Sequence, residues 1–216
     1  MTNFFRNKPT LSLTIMFTLL AALFLHRALF PAAGMALAGL DARSLFVPWW
    51  EFARTAVLSG HLPLWDANSF GGYPFLSNPQ VALFYPLNWP LLLLPVRFGL
   101  SWHVLVHLVV AGLGMFLLVR QLSGSTAGAW LAALAFAFSG FLSARIWAGH
   151  IGLIATDVWL PWLILATAWS AQRKTIWSAI IAGIPLGLAI LAGHTTSLLY
   201  IGLAWGLFAI YLLLTT

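Results

Sequence analysis

The chain contains no cysteine and very little charge. Without a thiol there is no disulfide frame, no iron–sulfur cluster and no thiolate zinc site, and redox chemistry does not indicate a compartment. Acidic groups are scarcer still, four among 216 residues, and charged residues of both signs make up 6% of the chain against 62% hydrophobic. A water-soluble domain of this size could not hide that much apolar surface in a core, so lipid is the solvent for most of the chain. The ten basic residues give a net charge of +6. They stand singly between apolar runs and form no stripe, which argues against nucleic acid and for membrane lipid as the partner of these cations.

Crossing the roughly 30 Å hydrocarbon core takes about 20 apolar residues, with every backbone group bonded inside the helix. Six stretches meet that description, at about 11–30, 101–119, 127–143, 154–171, 176–192 and 197–214. The first follows Arg6 and Lys8 and has the flavour of a signal peptide, but it is too long for an h-region and lacks a convincing small-residue cleavage site. It reads as a retained span. The apolar run from Leu87 to Pro95 is short and bracketed by prolines, so it belongs at the interface or re-enters. The expected fold is therefore all-α, a polytopic bundle of about six transmembrane helices forming one domain over residues 1–216. Arg6, Lys8, Arg120, Arg173 and Lys174 fall on one side if the spans alternate, which makes that side and the N-terminus cytoplasmic. Arg27, Arg43, Arg54, Arg97 and Arg145 depart from that rule by falling outside or near the outer surface.

This topology leaves residues 31–100 as one extracytoplasmic loop, too long for a simple connector. It holds three of the four carboxylates, Asp41, Glu51 and Asp66. Apolar residues Leu45, Phe46, Trp49, Phe52, Ala53, Ala56 and Val57 recur at helical spacing, with Pro48 suited to a first turn and Gly60 to a stop. They predict an interfacial helix from about Pro48 to Ser59, lying flat at headgroup depth. From His61 to Trp89, prolines and glycines interleave with large aromatics and predict an ordered, turn-rich lid. A weak internal echo appears further on: Ala148-Gly149-His150 and Ala192-Gly193-His194 both place Ala-Gly-His near the end of a span, on the side where the carboxylates lie.

Several phrases taken together resemble a known family. Gly39-Leu40-Asp41, Gly60-His61-Leu62-Pro63-Leu64-Trp65-Asp66, Gly71-Gly72-Tyr73-Pro74, Asn78-Pro79-Gln80, Phe84-Tyr85-Pro86-Leu87-Asn88 and the later Phe138-Ser139-Gly140-Phe141 are similar to the YfhO-like bacterial membrane proteins. The resemblance extends from about residue 36 onward. It implies a GT-C type glycosyltransferase of the bacterial cytoplasmic membrane, taking a sugar from a polyprenyl-phosphate donor on the extracytoplasmic face. Such proteins are usually much longer, so the chain is expected to correspond to an N-terminal portion. Many of them carry Asn where this sequence has Asp66, which leaves that position's role open.

The resemblance implies Asp41 as the catalytic group, the acidic residue of the first outer loop, which would take the proton from an acceptor hydroxyl. A turn cap or a pair with Arg43 is the structural alternative. Glu51 and Asp66 are either ligands for a divalent cation such as Mg²⁺ or Mn²⁺, or a solvated helix face and an Asx-turn. Asp157 has Arg145 available as an ion-pair partner. Arg97 and Arg145 are candidates for a lipid phosphate or for interfacial snorkelling, and His150 and His194 for a phosphate, a proton or a metal. Trp65 and Tyr73 stand apart from the remaining aromatic belt as candidates for stacking on a sugar. His103 and His107, four residues apart, read as polar packing, since no third metal ligand is near in sequence. Two other classes remain open. One is a transporter or channel whose outer loop is a lid, although polar residues gather away from the span centres. The other is a membrane assembly factor that keeps the fold without the chemistry.

Overall fold

The computed structural model describes residues 9–30, 37 and 39–215. Arg6 and Lys8, which carry part of the orientation argument, and the opening of the long loop at 31–36 and 38 lie outside the described residues. The regular elements among those residues are helical: α1 (Pro9–Phe24), α2 (His26–Leu29), α3 (Val47–Leu58), α4 (Trp89–Leu92), α5 (Val96–Ser123), α6 (Thr126–Ala137), α7 (Gly140–Ala148), α8 (Ile151–Asp157), α9 (Leu160–Arg173), α10 (Ile176–Ala182), α11 (Ile184–Leu191) and α12 (Thr195–Thr215). Among the described residues, four stretches are long and apolar enough to cross a membrane: Val96–Ser123, Thr126–Ala148, Ile151–Arg173 and Thr195–Thr215. Leu11–Phe24 and Ile176–Leu191 are apolar but shorter. The six expected spans thus resolve into four of full spanning length and two shorter helices. Pro185, which has no N–H to donate, sits in the first turn of α11 and divides the second short stretch.

Helix α5 is the hub. It packs against α1, α6, α8, α9, α3 and α4, and most of its length is buried, whereas α12 lies at the edge with its apolar surface open. Glycines permit the closest approaches: the Phe17 ring of α1 occupies the space a Cβ on Gly112 would need, and the Trp162 indole of α9 does the same at Gly114. Trp162 Nε1 also donates to the Val110 carbonyl at 2.9 Å. Gly183, by contrast, meets only carbonyls of its own turn.

The segment from residue 39 to 95 covers one end of this bundle. A π-helical turn, Ala42–Phe46, runs straight into α3, so helix begins earlier than Pro48. Proline cannot bond to the preceding turn and its ring crowds that turn's carbonyl, and the wider π turn leaves room for both effects. Phe46, Trp50 and Ala53 face inward, so the buried stripe passes through Trp50, with Trp49 half-buried beside it. Beyond Gly60 the chain forms three short 3₁₀ turns, Phe75–Ser77, Pro79–Val81 and Pro86–Asn88, over a small core of Ala53, Phe75, Val81, Leu83 and Leu92.

One buried polar chain ties this cover to the bundle. Trp159 Nε1 donates to the Tyr85 hydroxyl at 2.9 Å, and that hydroxyl lies 2.9 Å from His107 Nε2. His107 Nδ1 lies 2.7 Å from the His103 carbonyl, which can only accept, so Nδ1 carries the proton and Nε2 must accept from Tyr85. Burial pushes the Tyr85 phenol above its ordinary value, which keeps it a donor. The His103 ring stacks on His107 with centroids 4.0 Å apart and meets Trp50 edge-on. The two histidine rings thus pack together inside the bundle.

Replacing Tyr85 by Phe leaves both His107 Nε2 and Trp159 Nε1 without a partner. The expected cost is about 1–3 kcal/mol for each buried group so orphaned. It is read as a lowered thermal unfolding midpoint of the detergent-solubilised chain; an unchanged midpoint would show that this hydroxyl does not hold the cover down.

Candidate functional site

The Ala-Gly-His echo has a structural meaning. Helix α7 ends at Ala148, Gly149 turns left-handed at φ +84°, and His150 follows; α11 ends at Leu191, and Gly193 turns left-handed at φ +85° before His194. At such a φ a side chain is strained, and at both positions there is also no room for one. A Cβ on Gly149 would collide with Ala42, and one on Gly193 with the Pro79 carbonyl. Gly39 in turn lies against the Ala148–Gly149 backbone so closely that any side chain there would overlap it. Each turn thus docks a span end onto the 39–95 segment and delivers its histidine to the same place.

That place is a cavity of about 150 Å³ lined by Asp41, Phe46, Gln80, Arg145, His150, Leu153 and His194. His150 Nε2 lies 3.3 Å from Asp41 Oδ2, and the carboxylate remains 40% exposed, enough to meet a ligand. Asp41 pairs with His150, not with Arg43. Arg145 Nη1 lies 3.3 Å from His150 Nδ1. A second, more open hollow of about 420 Å³ flanks the same carboxylate, lined by Gly39, Leu40, Arg43, Trp147, Ala148 and His150. An apolar groove of about 150 Å³ lies between the residues flanking Gln80 and the end of α11, with Leu76, Leu83, Phe84, Ile190 and Leu191 among its walls.

The proton inventory follows from these contacts. The backbone N–H of Ser197 donates to His194 Nδ1 at 3.2 Å, and the Ser197 hydroxyl lies 2.9 Å from the same atom, so Nδ1 accepts and the side chain caps α12. The proton of the neutral ring is then on Nε2. Burial, followed by the neighbouring His150 and Arg145, lowers the His194 pKa and favours that neutral donor form. His194 N also meets Thr156 Oγ1 at 3.3 Å, fixing the turn to α8. Arg145 has donors only. Asp157 lies within electrostatic reach of Arg145 and Ser197, so the fourth carboxylate of the chain borders the same network.

Of the candidates read from sequence, Asp41, Arg145, His150 and His194 line one cavity, and Gln80, Phe46 and Leu153 join them. Glu51, Trp65, Asp66, Tyr73 and Arg97 are not among its lining residues. Glu51 is exposed on α3. Asp66 forms the Asx-turn considered as its alternative, accepting from Asn68 N and Ser69 Oγ at 2.8 Å each, and its backbone pairs with Tyr73. Trp65 covers Gly72 in that hairpin, and burial followed by the Asp66 charge raises the Tyr73 phenol. The Arg97 guanidinium sits 4.5 Å over the Phe98 ring. Among the described residues no three His, Asp or Glu side chains cluster as a metal site. Gln80 was the residue sequence reasoning missed; its signal was the proline before it, which aims the Asn78-Pro79-Gln80 turn. Comparison of the chain with known protein families, curated proteins and solved structures found no match.

Because the folded state lowers the His194 pKa, the unfolded chain binds more protons below its ordinary value. Stability associated with this residue is complete above about pH 6.5 and declines as pH falls from there toward the folded value. An Asn at 194 keeps a capping oxygen but cannot titrate. His194→Asn is therefore expected to unfold with a shallower acid dependence of its thermal midpoint between pH 7.5 and 5 than the parent chain; equal slopes would remove His194 from the linkage.

Proposed function

We propose that the chain is a membrane glycosyltransferase, or the N-terminal catalytic part of one, that transfers a sugar from a polyprenyl-phosphate donor to a hydroxyl acceptor on the extracytoplasmic face of a bacterial cytoplasmic membrane. The observation that carries this reading is that Asp41 is the single base in a cavity of donors. Arg145 has no lone pair to offer, His194 Nδ1 accepts from its own helix and His150 Nδ1 faces the Arg145 guanidinium, which leaves the carboxylate to take a proton. Such an inventory suits a reaction in which a hydroxyl loses a proton while negative charge develops on a leaving phosphate.

In this scheme the acceptor hydroxyl approaches Asp41, its oxygen attacks the anomeric carbon, and its proton passes to the carboxylate. The bond from that carbon to the phosphate oxygen breaks, and the electron pair leaves on the polyprenyl phosphate. Arg145 and the Nε2–H of His194, both of which line the cavity, would stabilise that anion. Hollows on both sides of Asp41 leave room for two reactants, and the apolar groove beside Gln80 offers a path for a lipid chain. The topology that goes with this function has six crossings, including Leu11–Phe24 and Ile176–Leu191, with α3 at the interface and the 39–95 segment outside. Trp65, Tyr73, Glu51, Asp66 and Arg97 contribute to this scheme only through the shape and surface of that outer segment.

The test is transfer of radiolabelled sugar from polyprenyl-phosphate donors by the reconstituted chain. Asp41→Asn is expected to lower kcat by about 10²–10⁴, the range typical of a positioned general base. Arg145→Met is expected to weaken donor use by about ten- to a hundredfold, the worth of one charge-assisted bond to phosphate. Absence of transfer by the parent chain from any donor would refute the proposal and leave the transport and assembly-factor readings.

A further inference from the structure

The ring of His150 touches two groups of opposite character, and their chemistry fixes its proton. A guanidinium can only donate, so the Nδ1 atom that faces Arg145 Nη1 at 3.3 Å must present a lone pair. The proton therefore resides on Nε2, and that nitrogen lies 3.3 Å from Asp41 Oδ2. The order of groups runs one way, from the Arg145 guanidinium through the imidazole to the Asp41 carboxylate. Neither ring nitrogen is left with a free lone pair that could receive a proton from a substrate.

The backbone makes this chain of contacts rigid at one end. The N–H groups of Gly149 and His150 both bond to the Arg145 carbonyl, at 3.0 and 2.9 Å, so guanidinium and imidazole arise from a single capped turn at the end of α7. Asp41 comes from another part of the chain, held there by the close passage of Gly39 along Ala148–Gly149. Among the described residues, the imidazole is thus the side chain that joins the carboxylate to the turn.

We propose that His150 is a positioning residue: it anchors Asp41 Oδ2 through a hydrogen-bond relay that starts at Arg145, and so leaves Oδ1 aimed at the acceptor hydroxyl. The proposal rests on the transferase reading of the cavity for its catalytic consequence, but its geometric content does not depend on activity. It makes His150 replaceable. Glutamine offers the same order of groups, a carbonyl oxygen for Arg145 and an amide N–H for Asp41, whereas leucine offers neither.

The experiment has two arms on the full chain. In the first, ¹⁵N NMR of the imidazoles near pH 7.5 is expected to show a single His150 tautomer protonated at Nε2, with a mixture of tautomers in Arg145→Met. A ring protonated at Nδ1 in the parent chain would overturn the proposal outright, without reliance on any variant or on turnover. In the second, His150→Leu is expected to lower kcat by about ten- to a hundredfold with little change in KM, the loss typical of a misplaced group. His150→Gln is expected to recover most of that loss. Glutamine as impaired as leucine would mean that the ring carries a proton during turnover, and leucine as fast as the parent would mean that it positions nothing; either result sinks the idea. Failure of the parent chain to transfer sugar refutes the transferase reading alone, since the tautomer still decides the relay.

Discussion

Backbone meets backbone where Gly39 passes Ala148 and Gly149, and the candidate site exists because no side chain stands between them. That contact sets the carboxylate of Asp41 beside His150, although 109 positions separate them in the sequence. The same construction recurs at Gly193 against Pro79, which brings His194 and Gln80 together. Both crossings sit at left-handed turns where a helix has just ended, so the carbonyls freed by the helix are capped while the chain changes direction. Larger residues at these points would push the loop segment off the bundle and open the cavity from both sides.

A bilayer raises the stakes of every polar group placed inside it, because no water is available to replace a missing partner. Several of the polar residues gather into two networks. The chain Trp159–Tyr85–His107 fastens the cover to α5 and α9, and the set Asp41–His150–Arg145 with His194 and Ser197 stands at the mouth of the bundle. The first has its donors and acceptors consumed internally. The second lines a cavity, with the Asp41 side chain 40% exposed, which is what distinguishes a site from a fastening.

The sign of the charge matters as much as its place. With four acidic residues in the whole chain, two of them border the Arg145 network, while Glu51 and Asp66 are spent on a helix surface and a turn. A cavity with one carboxylate and several donors suits an anion better than it suits a cation that needs several oxygen ligands. Helices of full spanning length supply the frame for this arrangement, and the shorter ones flank it.

Composition and hydrophobic run length determined that the chain is helical and suited to a membrane, because burying so many apolar residues away from water leaves few other solutions. They marked six apolar stretches, of which four reach full spanning length among the described residues; apolar length does not register a break such as that at Gly183 and Pro185, where a missing N–H divides the helix. They also identified Asp41, Arg145, His150 and His194 singly. What only the tertiary structure decided was the company each keeps: Asp41 with His150 in place of Arg43, Gln80 in the same cavity, and Asp66 withdrawn into its own turn. Those outcomes depend on backbone approaches between distant segments and on which lone pairs other residues already occupy, and neither quantity is written in local spacing.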